Sequence, residues 1–374
     1  MKVAHLIDTL AWGGAQKLLV DFATEAIPRG VDVLVISLRP TIHPAPYSLM
    51  LENAGAQVKI LSISTLYDPS AIPQLLTILR EQKVDVLHTH LSHANILGGI
   101  VGRLAGIPVV ATLHNVWSAS TPRKSPVRTV FGRLVLRFLT RKLIAVGKIV
   151  ADTHQGVFPQ DKLLTIPNPV NKSVELSRTE RDKLRKEIAG DSFQTIVLAI
   201  GRLLPRKGYS ELISAFASVH SRHPDVILAI AGGGGMGEEY YQEQARSLGL
   251  NGSVRFLGYR EDISVLLGAS DIYVNSSHWE GLSVAMLEAM SAGIPVLATR
   301  VGDAPYLLAD GRGVLVPPGD MESLARQFSY LLEDPHARKE LGEKGRAYVE
   351  KYHSVEAWVD ALLRLYTSLM GKPV

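Results

Sequence analysis

Residues 272–299 read IYVNSSHWEGLSVAMLEAMSAGIPVLAT, and their pattern sets the fold class. A short β-rich run at 272–275 opens the segment, and a second run at 295–299 closes it. Between them a helical pattern should begin near Leu282 and end at Gly293, a residue that suits a helix C-terminal cap. A strand, a helix and a second strand in this order predict that the two strands pair in parallel.

The same alternation of β-rich runs and amphipathic segments begins at the amino terminus, as is typical of parallel sheets covered by helices on both faces. Further strands are predicted at residues 3–7, 32–38, 57–61, 85–89, 108–112, 142–146, 162–166, 195–201, 226–231 and 253–257. From Asp320 onward the pattern is almost entirely helical. The fold class expected is therefore α/β, with two tandem doubly wound Rossmann-like domains.

A polar, charged stretch from Lys172 to Asp191 separates the two series of strands. We expect an N-terminal Rossmann-like domain over residues 1–170 and a C-terminal one over residues 171–352. The remaining residues, 353–374, are expected to form a helix that packs back on the N-terminal domain. Doubly wound sheets bind ligands at the carboxyl ends of their strands, so the active site is expected in the cleft between the domains.

Composition excludes several classes of protein. The chain has 374 residues, 46% of them hydrophobic, which is enough to bury a sizeable core and excludes intrinsic disorder. It contains no cysteine, which excludes disulfide frameworks, thiolate zinc sites and a cysteine nucleophile. Asp8 interrupts the first apolar run, and no run approaches the ~20 apolar residues of a spanning helix. A cytoplasmic protein is expected, either free in solution or peripheral on the cytoplasmic membrane face.

Charge is distributed unevenly along the chain. Residues 1–171 hold 17 basic and 10 acidic side chains and residues 172–374 hold 23 and 26, so the formal charges are +7 and −3. No acidic residue lies between Asp85 and Asp152. Eight basic side chains accumulate at residues 123–148 of this window: Arg123, Lys124, Arg128, Arg133, Arg137, Arg141, Lys142 and Lys148. They predict contact with an anionic surface or substrate.

Residues 126–143 have the pattern of an amphipathic helix. Its apolar positions share one helical face, and they are Val127, Val130, Phe131, Leu134, Val135 and Phe138. One interpretation is an interfacial helix through which residues 123–148 meet an anionic membrane surface. The alternative is a helix packed on its own domain with solvated arginines, because every doubly wound domain needs such covering helices.

Gly13 and Gly14 follow the first predicted strand, at the turn into a helix that begins around Ala15. Glycine at this turn lets backbone amides approach an anion at a helix N-terminus. A tight turn without a ligand is the alternative. The dinucleotide fingerprint G-x-G-x-x-G is absent, and no acidic residue ends the second strand, so a nicotinamide cofactor is not favoured.

Arg202 and Lys207 lie in the segment GRLLPRKG, just past the first strand of the second domain. Two cations fixed at the carboxyl end of a strand suit a diphosphate leaving group, because they compensate the charge that grows on it. The alternative is a pair of solvated surface cations.

The helix predicted near Leu282 offers a second anion-binding feature. Free amides of Leu282, Ser283 and Val284 would point into the cleft with the positive end of the helix dipole. Glu280 lies just before this terminus and Glu288 eight residues further on, and carboxylates are strong acceptors for sugar hydroxyls. The alternative is that both acids form only local caps or ion pairs.

The E-x7-E spacing from Glu280 to Glu288 resembles the signature of the family-four retaining glycosyltransferases of GT-B fold. Further segments agree with that family in order and spacing: GGAQ at 13–16, HTHLSHANILGG at 88–99, ATLHN at 111–115, IPNPV at 166–170, GRLLPRKG at 201–208 and FLGYRED at 256–262. The resemblance covers nearly the whole chain. It implies that the N-terminal domain binds the acceptor and that the C-terminal domain binds a nucleotide-diphosphate sugar. Among the nucleobases, uridine is the one favoured here.

The resemblance also implies roles for individual residues of the second domain. Arg202 and Lys207 would grip the donor diphosphate, and Glu288 would accept hydrogen bonds from the ribose hydroxyls. Tyr259 and Arg260 would lie beside the nucleobase.

The transferred sugar would be held by Glu280 together with the backbone that follows it, namely Gly281, Leu282, Ser283 and Val284. From the first domain, Gly13 and Gly14 would approach the diphosphate or the acceptor, and His114 would lie near the reacting centre. The resemblance thus implies a catalytic set of Arg202, Lys207, Glu280 and His114.

Three positions depart from the family pattern. Pro169 stands where glycine usually follows Asn168, and it removes a backbone donor. Lys148 stands where a serine is often found, and Gln16 where glutamate is common. These departures concern contacts to acceptor and phosphate rather than the Arg, Lys and Glu set.

His88, His90 and His93 raise the question of a metal site, because alternate strand positions share a face and imidazole is a common ligand. A structural or cleft-lining role is favoured instead, since His93 falls at a helix start and no carboxylate lies nearby in sequence. The chain also contains no D-x-D segment. No metal and no cofactor is therefore predicted, and catalysis would depend on Arg202, Lys207 and the helix terminus.

The function expected is metal-independent, retaining transfer of a hexose-type sugar from a nucleotide sugar to a glycan or lipid-linked acceptor, as in the synthesis of a cell-envelope polysaccharide. A nucleotide-sugar epimerase or phosphorylase of the same architecture is one alternative. A glycosidase is another, although it would need no diphosphate grip. A non-catalytic nucleotide-sugar-binding subunit is the third. No nucleic-acid partner is expected.

Overall fold

The computed structural model describes residues 1–11, 13–41, 46–63, 65, 68–114, 126–192, 194–234 and 237–371. The chain divides into two compact units. The first unit comprises Met1–Pro169 and Val355–Val374, and the second comprises Val170–Ser354. Each unit contains one parallel sheet and its own buried apolar cores.

The sheet of the first unit has seven strands: β1 (Lys2–Thr9), β2 (Asp32–Arg39), β3 (Gln57–Ile60), β4 (Val86–His90), β5 (Val109–Leu113), β6 (Lys142–Ala145) and β7 (Leu163–Thr165). Their order across the sheet is β3-β2-β1-β4-β5-β6-β7. From β1 the strands are added outward to β3 on one side, and from β4 they are added outward on the other side. The strand order therefore reverses between β1 and β4, and the carboxyl ends of these two strands flank the position at which doubly wound sheets bind ligands.

The sheet of the second unit has six strands: β8 (Thr195–Ile200), β9 (Val226–Ala231), β10 (Val254–Phe256), β11 (Ile272–Asn275), β12 (Val296–Thr299) and β13 (Val314–Val316). Their order is β10-β9-β8-β11-β12-β13. The equivalent switch point therefore lies between β8 and β11.

The helices are α1 (Gly14–Ala26), α2 (Pro46–Asn53), α3 (Ala71–Glu81), α4 (Ser92–Ala105), α5 (Pro126–Phe138), α6 (Lys148–His154), α7 (Arg178–Ala189), α8 (Tyr209–His220), α9 (Glu238–Ser247), α10 (Ile263–Ala269), α11 (Val284–Ser291), α12 (Ala304–Leu307), α13 (Met321–Glu333), α14 (Pro335–Tyr352) and α15 (Val355–Leu369). No described helix is both long enough and apolar enough to cross a membrane.

Both faces of the first sheet are buried. Successive side chains of a strand point to opposite faces, so each strand contributes to two cores. Val3 and Ile7 of β1 belong to one apolar core, whereas Ala4 and Leu6 belong to another. This arrangement explains why the strands read as continuous apolar runs rather than as alternating patterns.

The last helix, α15, belongs to the first unit although the second unit separates it in sequence. Trp358 and Tyr366 of α15 pack edge-on against Phe22 of α1, with ring centroids 6.1 Å apart in both cases. The Tyr366 hydroxyl also lies 2.6 Å from Nδ1 of His88 on β4. Apolar packing and one buried polar contact thus fix α15 on the first sheet.

The predicted fold class is confirmed, since two parallel sheets with interleaved helices are present. The short strand β13 was not predicted. It comprises Val314–Val316 and pairs with β12 at the edge of the second sheet.

Candidate functional site

The predicted donor residues lie on the loops that follow β8 and β11, the two strands that flank the second switch point. The loop after β8 passes through Arg202 to a 3-10 turn, Pro205–Lys207, and then to Gly208. A Cβ on Gly208 would lie 2.1 Å from the carbonyl oxygen of Ser276, in the loop after β11. Only glycine allows this approach and the φ of +66° found there. The two loops are therefore packed backbone to backbone.

Glu280 lies between two cations from the loop after β8. Lys207 Nζ donates a hydrogen bond to Oε1 of Glu280, and Arg206 Nη1 lies 3.7 Å from Oε2. The Ser277 hydroxyl donates to Oε1 at 2.9 Å. Burial alone would raise the pKa of Glu280, but the charges of Lys207 and Arg206 outweigh it, and the pKa lies below its ordinary value. The ionised carboxylate therefore orients both cations.

Arg202 differs from these cations because it has no counter-ion. Its guanidinium forms no hydrogen bond or ion pair with any residue in the described part of the chain. Desolvation and the neighbouring charge of Arg206 lower the pKa of Arg202, and the charge of Glu280 opposes them. A guanidinium stays protonated under such shifts. Arg202 is thus a cation at the switch point that remains available to an anion.

The N-terminus of α11 lies at the same switch point. The Ser283 hydroxyl caps the helix by accepting a hydrogen bond from the amide of Met286 at 3.4 Å. Within the described ranges, the amides of Leu282, Ser283 and Val284 donate to no acceptor. The helix begins at Val284 rather than near Leu282, so the three predicted amides precede or open its first turn.

Glu280 and Glu288 both influence Tyr273, a buried residue of β11. Burial raises the pKa of the Tyr273 phenol, and the negative charges of Glu280 and Glu288 add to that shift. Glu288 is half-buried on α11, whose last turn is followed by Gly293 at a φ of +71°, as the sequence predicts. The charges of both carboxylates of the E-x7-E spacing therefore act on one buried phenol.

A glycine run after β9 adjoins the same loops. A Cβ on Gly232 would lie 2.0 Å from the carbonyl oxygen of Gly201, and one on Gly233 would lie 2.8 Å from the ring of Tyr259. The ring of Tyr259 therefore rests on glycine backbone, and the residue is 46% exposed. The loops after β8, β9 and β10 meet at this point. This meeting point was not predicted, although the GGGG run at 232–235 is a signal for it in the sequence.

Arg260, the second residue predicted beside the nucleobase, is engaged by acidic side chains. Its guanidinium contacts both carboxylate oxygens of Asp262, at 2.8 and 2.7 Å, and Oε1 of Glu187 at 3.2 Å. The hydrogen bond to Asp262 is the main cause that raises the pKa of Arg260. The charge of Arg260 is therefore compensated by these acidic side chains.

Arg206 and Trp279 were not predicted as site residues. The Arg206 guanidinium lies over the Trp279 ring, 4.6 Å from the ring centroid, while it also faces Glu280. Stacking on an aromatic face fixes the plane of a guanidinium. The adjacent basic pair at 206–207 could have indicated a third cation at this loop.

Gly13, Gly14 and His114 lie in the first unit, unlike the other predicted site residues. α1 begins at Gly14, close to the predicted start, and Gly13 precedes it in an extended conformation. A Cβ on Gly13 would lie 2.5 Å from Oε1 of Gln16, whose Nε2 donates to the carbonyl of Thr9 at 2.9 Å. The two glycines thus sit at the carboxyl end of β1, at the first switch point.

Four histidines lie on or next to neighbouring strands of the first sheet, namely His5, His88, His90 and His114. Possible ligand atoms of His5, His88 and His90 lie within 4.8 Å of one another. Both ring nitrogens of His88 already contact hydroxyls, Tyr366 at Nδ1 and Thr112 at Nε2, each at 2.6 Å. Hydrogen bonds to neutral groups therefore account for His88 without a metal ligand role.

His93, by contrast, pairs with a carboxylate from a distant strand. Its Nδ1 lies 3.2 Å from Oδ2 of Asp8, on β1. The other carboxylate oxygen accepts a hydrogen bond from the amide of Ala94 at 2.8 Å. Asp8 therefore caps the start of α4, a contact that the separation of 85 positions between Asp8 and His93 conceals in the sequence.

α5 buries only part of its predicted apolar face. Val135 packs against Gly99 of α4, where a Cβ would lie 2.5 Å from it. The remaining apolar positions are exposed, up to 74% for Val127, and they are Val127, Val130, Phe131, Leu134 and Phe138. Arg137 and Arg141 are exposed next to them. Arg123 and Lys124, which belong to the predicted basic window, lie outside the described residues.

Comparison with known families covers most of the chain. Residues 12–174 match the model of Glycosyltransferase Family 4, and residues 180–348 match the model of Glycosyl transferases group 1. Both donor loops fall within the second match, and Gly13, Gly14 and His114 fall within the first.

Individual relatives agree with these matches. The UDP-Gal:alpha-D-GlcNAc-diphosphoundecaprenol alpha-1,3-galactosyltransferase of Escherichia coli is 30% identical over 283 residues, 73% of either chain. A GDP-mannose-dependent phosphatidylinositol monomannoside mannosyltransferase of Corynebacterium glutamicum is 26% identical over 372 residues, 95% of this chain and 94% of the relative. The structure of Anabaena HepE with UDP-glucose superposes with a TM-score of 0.87 at 24% identity, over 98% of this chain and all of HepE. The chain therefore belongs to the group 1, family-four glycosyltransferases of GT-B fold.

Proposed function

We propose that this glycosyltransferase moves a hexose-type sugar from a nucleotide-diphosphate sugar to a glycan or lipid-linked acceptor, with retention of configuration and without a metal. The observation that carries the proposal is the cluster at the second switch point. It combines the cations Arg202, Arg206 and Lys207 with the carboxylate of Glu280 and the open amides before α11.

Charge balance supports a diphosphate as the ligand of this cluster. Three cations and one carboxylate leave an excess of two positive charges, which equals the charge on the diphosphate of a nucleotide sugar. Arg202 would form the first contact, because it has no counter-ion among the described residues. Lys207 and Arg206 would add their charges from fixed positions, so no reorganisation is needed as charge develops on the leaving group.

The sugar, the ribose and the base of the donor would each contact residues that lie around this cluster. Glu280 and the backbone of Gly281–Val284 would hold the hydroxyls of the transferred sugar, and Glu288 would accept the ribose hydroxyls. Tyr259, with its half-exposed ring on a glycine backbone, would stack on the nucleobase. The side chain of Arg260 would support this loop through Asp262 rather than contact the base. Uridine remains the favoured base.

Retention would follow from attack on the face that the diphosphate leaves. The acceptor oxygen forms a bond to the anomeric carbon, and the bond from that carbon to the diphosphate oxygen breaks with its electron pair on the phosphate. The acceptor proton passes to that phosphate oxygen, so no protein nucleophile is required. The cations stabilise the departing diphosphate, which is the work that a metal ion does in other transferases.

A lipid-linked acceptor is supported by the relatives and by α5. The Escherichia coli relative is named for a diphosphoundecaprenol-linked acceptor, and the Corynebacterium relative for a phosphatidylinositol mannoside. α5 exposes a stripe of apolar side chains beside Arg137 and Arg141. We infer that this face binds an anionic membrane surface, which places the enzyme peripherally on the cytoplasmic face of the membrane.

The experiment that tests the proposal is donor turnover with and without a chelator. The purified protein is incubated with UDP-, GDP- and ADP-sugars, and free nucleoside diphosphate is measured, followed by the anomeric configuration of any product by NMR. We expect release from one donor class, unaffected by EDTA, and a product with the donor's anomeric configuration. Loss of turnover in EDTA, an inverted product, or epimerised donor without release would each overturn the corresponding part of the proposal.

A further inference from the structure

Three imidazoles of the first unit form a continuous hydrogen-bonded chain. Nδ1 of His5 lies 3.1 Å from Nε2 of His90, and Nδ1 of His90 lies 3.2 Å from Nε2 of His114. The first two rings lie on β1 and β4, and His114 follows β5. His88 shares the face of His90, but its nitrogens bond to Tyr366 and Thr112 and do not join this chain.

All three rings are neutral at ordinary pH. Burial lowers the pKa of His5 to about 3 and that of His114 to about 4, and burial together with the neighbouring histidines lowers the pKa of His90 well below its usual value. A neutral imidazole carries one N–H donor and one acceptor nitrogen. Each contact in the chain therefore needs one donor and one acceptor, and the proton position in one ring sets it in the other two.

The surroundings of His5, at one end of the hydrogen-bonded series of imidazoles, determine which nitrogen of each ring carries the proton. Nε2 of His5 is buried and has no partner among the described residues, and its ring packs against Phe22 with centroids 4.7 Å apart. A proton on Nε2 would point at these apolar neighbours with no acceptor, whereas a proton on Nδ1 can be donated to His90. The proton of His5 is therefore favoured on Nδ1, from which it points to His90.

The same orientation then passes along the chain. His90 receives a hydrogen bond at Nε2, so its own proton lies on Nδ1 and is donated to Nε2 of His114. The proton of His114 must then lie on Nδ1. Among the described residues, the printed side-chain contact of His114 is the one at Nε2, and His114 is partly exposed.

We propose that His5 and His90 are positioning residues that hold His114 as a neutral Nδ1–H tautomer, which donates a hydrogen bond to a hydroxyl or anionic oxygen of the bound sugars. The inference rests on the proposed function, a sugar transfer, and on the family resemblance, which implies that His114 lies near the reacting centre. It specifies that His114 is a donor of fixed orientation and neither a general base nor a cation. A donor at this point can stabilise negative charge on a sugar oxygen during transfer.

The direct test is the tautomer of His114, measured by long-range ¹H–¹⁵N NMR of the full chain labelled in histidine, with His114→Gln for assignment. We expect Nδ1 to be protonated and Nε2 to be the acceptor nitrogen at pH 7.5. A protonated Nε2, or a charged ring, would overturn the inference. The measurement needs no substrate, so it stands even if no donor is turned over and the proposed function fails.

A pair of variants at position 90 links the tautomer to activity. Asn places an amide where His90 has Nδ1 and can still donate to His114, whereas Leu cannot. For His90→Asn we expect His114 to stay protonated at Nδ1 and kcat to stay within about threefold of the wild-type value. For His90→Leu we expect a mixture of His114 tautomers and a fall in kcat of about tenfold. Tyr366→Phe removes a neighbouring buried hydroxyl outside the chain and should change neither. Equal loss in the Asn and Leu variants would show that His90 acts only through packing and would contradict the inference.

Discussion

Lys207 donates a hydrogen bond to the carboxylate of Glu280, which lies 73 residues further along the chain. The contact joins the loop after β8 to the loop after β11, and the close approach of Gly208 to Ser276 holds the same two loops together. The ammonium group is thus oriented before any ligand arrives. Preorganised charge of this kind is what makes an electrostatic site effective in catalysis.

Loss of the positive charge of Arg202 or of Lys207 should strongly reduce the rate of sugar transfer. Arg202→Ala and Lys207→Ala should each lower turnover about 10²-fold, because each removes a charge partner of the leaving diphosphate. The readout is the steady-state release of nucleoside diphosphate in the presence of acceptor. Arg178→Ala, which changes a 95% exposed side chain at the start of α7, is the matched control and should leave turnover unchanged. Wild-type turnover in both site variants would remove these residues from the mechanism.

Arg206 should act on binding of the diphosphate in particular. Arg206→Met keeps an aliphatic contact with Trp279 but removes one positive charge, so the affinity for UDP should fall about tenfold. The affinity for UMP, with a single phosphate, should fall less. Isothermal titration calorimetry with both nucleotides checks this, and Arg178→Met serves as control. Equal losses for UDP and UMP would mean that Arg206 does not face the diphosphate.

Glu280 should contribute stability that depends on pH. Its pKa in the folded protein lies below the ordinary 4.5, so the folded state favours the ionised form, and the contribution is present above pH 4.5 and lost as the pH falls through the folded value. Glu280→Gln, an analogue of the protonated form, should cost about 2 kcal/mol at pH 7, because it leaves Lys207 and Arg206 without their charged acceptor.

This cost should shrink as the pH falls below 4.5, which urea unfolding at pH 7 and pH 4 can measure. Glu261→Gln changes an exposed carboxylate near the same loops and should have almost no effect at either pH. A cost for Glu280→Gln that is the same at both pH values would show that the ion pair is not its source.

The exposed face of α5 should govern binding to membranes. Phe131→Asp and Phe138→Asp each place a negative charge on the apolar stripe, so co-sedimentation with vesicles rich in phosphatidylglycerol should fall at least about tenfold. Leu49→Asp, at an equally exposed apolar position on α2, should leave vesicle binding intact. Binding of the wild type that is independent of anionic lipid, or unchanged in the two Phe variants, would contradict the assignment.

Features that depend on local contacts could be predicted from the sequence, whereas features that depend on contacts between distant residues could not. The turn at Gly13, the helix end at Gly293 and the E-x7-E spacing could be predicted because each depends on a few neighbouring residues. The partners of Asp8 and His93, and of Lys207 and Glu280, could not, because parallel strands bring together residues separated by long crossovers. The same holds for His5, whose strand lies beside β4 only in the folded sheet.

The buried histidines should make the first unit sensitive to acid. Burial lowers the pKa of His5 from 6.5 to about 3, so below pH 6.5 the unfolded chain binds a proton that the folded protein does not. Stability contributed by keeping His5 neutral is therefore present above pH 6.5 and is lost as the pH falls, by about 1.4 kcal/mol per pH unit. The melting temperature should thus drop between pH 7.5 and pH 5.5, as followed by circular dichroism. His5→Phe, which has no proton to gain, should show a smaller drop, whereas His336→Gln at an exposed position should behave as the wild type. An equal drop in the His5 variant would assign the acid sensitivity to other groups.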